Sequence, residues 1–173
     1  MPETYAPITT TTLDTTTGSV TFSSLPSLYN DLIIVANGKA QSSNSTLVDV
    51  GVRFNGDTGS NYSTVKTFSL SYASVVASTN INGVNAETYM DANNTANSLG
   101  SGFKLDIFDY NTTYSYKNFL NRASCMTQSD KGVFITASTW KSTAAITSIT
   151  LFPTSGSGFY AGTWFALYGI KRA

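Results

Sequence analysis

The sequence predicts an all-β fold, an antiparallel β-sandwich, with a jelly roll as the expected topology. Three observations lead there. Apolar residues recur at every second position in short segments, the spacing of a half-buried strand. Gly, Asn, Asp and Pro clusters break the chain between those segments, where tight turns need them. Ser and Thr make up more than a quarter of the 173 residues, and Thr is β-branched, which favours strands. No stretch carries a convincing apolar stripe at helical spacing.

The elements follow in order. Residues 1–17 form a Thr-rich N-terminal arm, in which Tyr5 and Ile8 could start a strand and Asp14–Gly18 is a turn. Residues 18–173 are expected to form a single sandwich domain. Val20 and Phe22 alternate with hydroxyl residues up to Pro26. Asp31–Ala36 is a continuous apolar run stopped by Asn37-Gly38, as in a strand buried on both faces. Val48, Val50, Val52 and Phe54 share one face of the next strand, and the Gly-rich loop Asn55–Asn61 ends it. Tyr62–Leu70 is a strand. Residues 71–101 lose the pattern and read as an excursion between core strands.

Alternation resumes with Phe103, Leu105 and Ile107 facing inward. A strand from Tyr116 to Ser124 follows, then one from Val133 to Trp140 with Val133, Ile135 and Ala137 on the core side. The tail from Ala145 to Ile170 reads as a terminal hairpin. Its Ser155–Gly158 turn should be exposed, and Trp164 and Phe165 should be buried on opposite faces. The total is about nine or ten strands.

Composition excludes several functions. Ten basic residues balance ten acidic ones, so no basic stripe exists to neutralise phosphates, and no nucleic-acid partner is expected. No apolar run approaches the ~18 residues of a membrane span. The opening lacks the basic region and apolar core of a secretory leader, so we expect synthesis in a cytoplasm. The single cysteine, Cys125, excludes an internal disulfide.

Chemistry is sparse. Histidine is absent, which removes Ser–His–Asp and Cys–His catalysis and His-containing zinc sites. Cys125 reads as a packing residue. Asp106 and Asp109 fall on opposite faces of one strand, while Asp49, Asp57 and Glu87 have no placeable partner, so paired-carboxylate chemistry finds no support. Asn55, Asp57 and Asn61 offer oxygens to calcium, but one carboxylate is too few, and the loop is ordinary turn chemistry. We expect no catalytic residue, cofactor or metal. Tyr110, Tyr114, Tyr116, Phe159 and Tyr160 lie at or near turns and form the candidate interaction surface, for a subunit interface or a stacked sugar.

Several segments carry a resemblance. Tyr5–Leu13 and Val20–Pro26 at the start, Val52–Tyr62 in the middle, and Trp140–Pro153 with Phe159–Lys171 at the end resemble a group of small tailed-bacteriophage virion proteins. The likeness touches the whole chain except residues 71–101 and is strongest at the end. It implies a non-enzymatic virion protein made in the host cytoplasm. The first expectation is a capsid decoration or cement protein, a homotrimer whose partner is the major capsid protein. The alternative is a tail-tip or fibre domain that recognises a host surface glycan through Tyr and Asn side chains.

Overall fold

The computed structural model describes residues 5–41, 47–70, 76–83, 85–91, 100–126 and 131–172. Fourteen strands lie among them, every pairing is antiparallel, and no helix occurs among the described residues. The predicted all-β antiparallel sandwich is therefore the observed class.

The larger sheet has eight strands. Across it run β1 (Tyr5–Thr12), β14 (Trp164–Ile170), β3 (Asp31–Gly38), β9 (Ser101–Ile107), β10 (Lys117–Met126), β11 (Lys131–Trp140), β6 (Tyr62–Leu70) and β7 (Val76–Gly83). The smaller sheet orders β2 (Val20–Phe22), β12 (Ile149–Pro153), β5 (Leu47–Phe54) and β8 (Ala86–Asp91). A two-stranded ribbon joins β13 (Gly158–Phe159) to β4 (Ala40–Gln41). The order is compatible with a jelly roll.

The strand total exceeds the expected nine or ten for two reasons. β4 and β13 are two residues each, too short for any periodicity to show. β7 and β8 lie in the expected excursion, where β7 is almost wholly exposed and so has no apolar alternation to read.

One core joins the two sheets. Leu32, Ile34 and Ala36 of β3, Phe103, Leu105 and Ile107 of β9, and Phe165 and Leu167 of β14 face Val48, Val50, Val52 and Phe54 of β5. Phe119 and Trp140 meet the Phe54 ring edge-on at 5.0 and 5.6 Å. Such pairs add about 0.5–1.5 kcal/mol each beyond the area they bury.

Three sequence expectations are corrected here. The N-terminal arm is in large part a strand: β1 pairs with β14 from Tyr5↔Ile170 to Thr12↔Trp164, and Leu13 enters the core. The tail is not a hairpin. β12 pairs with β2 and β5, whereas β14 pairs with β1 and β3, so the segment between them crosses from one sheet to the other. Its bend leaves Thr154–Ser157 exposed but buries Gly158, since a Cβ there would lie 2.6 Å from the Thr17 carbonyl oxygen. Phe165 is fully buried as expected, while Trp164 on the other face is only half-buried.

The third correction concerns β11. Val133 and Ile135 are 59% and 47% exposed, and the core takes Phe134 and Trp140 instead. A shift of one residue exchanges the two faces of a strand. The aromatic residues decide it, because Phe134 stacks on Tyr89 at 4.1 Å and on Phe68 at 5.8 Å. The hydroxyls buried with them find partners: Thr136 Oγ1 donates to the Glu87 carbonyl at 3.1 Å, and Ser138 and Thr64 share a bond of 2.9 Å.

Candidate functional site

The five aromatics proposed as one surface do not share one. Tyr110 is 1% exposed and its hydroxyl donates to the Pro26 carbonyl. The turn at Asp109, whose φ is 49°, directs the ring inward. Phe159 is fully buried, edge-on to Phe165 at 5.0 Å, because the β13–β4 ribbon seats it there. Tyr114 and Tyr116 are 79% and 53% exposed on the β9–β10 connection. Tyr160 is half-buried, its N–H donating to the Lys39 carbonyl at 2.9 Å. Asp109 N donates to Asp31 Oδ1 at one end of β3, and Lys39 follows the other end. At ~3.4 Å per residue the Tyr114–Tyr116 loop and Tyr160 are therefore roughly 25 Å apart.

The structure points to the outer face of the larger sheet instead. Register fixes which side chains stand together there. One row runs Tyr168, Ile33, Asp106, Leu120, Ala137, Val65. The next runs Ala166, Val35, Lys104, Arg122, Ile135, Thr67, and a third Trp164, Asn37, Gly102, Ser124, Val133, Ser69. An antiparallel sheet with one face in water is ordinarily polar on that face. This one exposes Val65, Val133 and Ile135 at 47–59%, with Ile81 and Phe108 beside them at 69% and 42%.

Two hollows mark the opposite ends of this face. The first, about 470 Å³, is lined by Val65, Ile81, Phe108, Leu120 and Ala137 among others. The second, about 480 Å³, lies over Gly102 between Trp164, Val133, Lys104 and Arg122. Asp106 holds both of those cations, at 2.8 Å from Lys104 Nζ and 2.8 Å from Arg122 Nη2.

The carboxylates read singly from the sequence have partners. Asp49 and Glu87 join Lys66 and Tyr89 where β6 meets the smaller sheet. Lys66 Nζ lies 3.0 Å from Glu87 Oε2 and donates to the Tyr89 hydroxyl at 2.6 Å. Burial pushes the Asp49 carboxyl up, Lys66 works against that, and Glu87 adds to it. Burial likewise pushes the Tyr89 phenol up to about 12.

The loop offered to calcium is committed internally. Asp57 accepts from Trp140 Nε1 at 2.7 Å, Asn61 Nδ2 at 2.9 Å and Gly59 N at 2.8 Å. Asn55 bonds the Ala145 carbonyl and the Thr147 and Ser148 amides. Among the described residues no group of three metal-ligating side chains comes together. No described helix is long and apolar enough to cross a membrane. Cys125 is buried.

Sequence reasoning missed the outer face because its rows are assembled from six strands far apart in the chain. The one local signal was the second apolar parity in β11. No protein-family model matches the chain, and no curated protein matches it either.

Proposed function

We propose that the protein is a non-enzymatic structural component of a phage particle, a decoration or cement protein that seats on the capsid as a trimer and ties neighbouring shell subunits together. The exposed apolar residues of β6, β7, β11 and the β9–β10 connection carry this reading. Val65, Ile81, Phe108, Val133 and Ile135 form an apolar surface on a face that water would otherwise keep polar. Such a surface marks a docking site. The resemblance at both ends of the chain supplies its occupant, the shell.

The test is rebinding to particles stripped of the protein. The native protein should bind them saturably, and the Val65→Asp, Ile135→Asp double variant should not, with its thermal unfolding unchanged. Native-like binding by that variant contradicts the reading.

Tyr114 and Tyr116, exposed together on one loop, favour a second reading, a tail-tip or fibre domain that stacks a host glycan. Glycan-array binding lost in Tyr116→Ala would support it, and no array binding would count against it.

A further inference from the structure

The hollow at the Trp164 end of the outer face has a chemistry that apolar docking does not use. Gly102 is its floor, with Asn37 and Ser124 on either side in the same row. Any Cβ at that position would stand 3.3 Å from Asn37 Nδ2, inside the hollow's own space. Trp164 walls one end and Val133 the other, about three strand spacings, ~14 Å, separating Trp164 from Ser124. The hollow, of about 480 Å³, opens broadly to solvent.

The charge in the hollow is one-sided. Asp106 is 13% exposed at its side chain, whereas Lys104 and Arg122, which it holds at 2.8 Å each, are 36% and 54% exposed. The three groups sum to a single positive charge. Arg122 gives Asp106 one nitrogen and keeps further N–H donors in the planar fork that matches a carboxylate.

We propose that this hollow binds a carboxylated sugar. The ligand spans the hollow as an acidic disaccharide: one ring stacks its apolar CH face on Trp164 and bonds Asn37, while the carboxylate of the next meets Lys104 and Arg122 beside Ser124. One net positive charge suits one carboxylate and is too little for a di- or triphosphate. A half-buried tryptophan beside an amide offers the apolar and polar contacts that a sugar ring combines. The proposal rests on the glycan reading above and moves its site from the Tyr114–Tyr116 loop to β3, β9, β10 and β14.

The experiment titrates the whole chain with digalacturonic acid and 3′-sialyllactose, and with neutral galactobiose and lactose, by calorimetry and tryptophan fluorescence. At least one acidic probe should bind at least tenfold more tightly than its neutral counterpart, more weakly as salt rises. Gly102→Val, which fills the floor, and Arg122→Gln, an exposed change, should each cut that affinity tenfold or more. The Tyr114→Ala, Tyr116→Ala double variant should bind as the native chain does. Equal affinity for acidic and neutral probes, or full binding by Arg122→Gln, overturns the proposal. Binding that survives Gly102→Val but fails in the tyrosine variant overturns the hollow and leaves the glycan reading standing.

Discussion

Asp57 shows how much structure one surface loop can hang on a single side chain. Burial raises its carboxyl pKa, but the bonds from Trp140, Asn61 and Gly59 together outweigh that and hold it below the usual range. Trp140 is 3% exposed, so removing the acceptor strands a buried indole N–H. Asp57→Ala should lose about 1–3 kcal/mol in urea unfolding. A carboxyl with a lowered folded pKa adds stability above its unfolded value, near 3.9, and loses it as pH falls through the folded value. The stability gap between the native protein and Asp57→Asn should therefore narrow in acid below that range, and a pH-independent gap would contradict the assignment. Asn121 makes the opposite case. It is 1% exposed, and both polar atoms of its amide lack a protein partner. Asn121→Leu should raise stability by about 1 kcal/mol, since an apolar residue there leaves nothing unsatisfied.

β11 carries apolar residues on both of its faces. Its sequence, KGVFITASTW, offers aliphatics on one parity and Phe134 and Trp140 on the other. Alternation alone favoured the aliphatics. The fold favoured the aromatics, whose partners Tyr89, Phe68 and Phe54 sit on three other strands that no local pattern could place. Where only one parity was apolar, as in β5 and β9, the inward faces were legible from the sequence. The candidate surface was far less so. Tyr110 and Phe159 were read as exposed from nearness to turns, yet loop residues can be the ones that plug a core. The consequence is measurable: Phe134→Ala should cost about 3–5 kcal/mol. Ile135→Asp, one residue on, should stay within about 0.5 kcal/mol. Equal losses would place β11 in the other register.

At the scale of the molecule, the crossing from β12 to β14 and the Lys66 cluster both tie one sheet to the other. Burial lowers the Lys66 pKa, but its bonds to Tyr89 and Glu87 outweigh this and raise it above the ordinary lysine range. That contribution is complete below about pH 10.4 and is lost as pH rises through the folded value. Lys66→Met should consequently flatten the alkaline end of the stability profile, measured by thermal unfolding between pH 9 and 12.

The proposed seating of the apolar outer face on a shell is a claim about the whole protein. Quantitative mass spectrometry of purified particles, which counts copies of the protein per particle, tests that proposal most directly. A shell-seating protein must be present in a fixed high ratio to the major capsid protein, many copies per particle. A handful of copies, all retained with isolated tails, would contradict it.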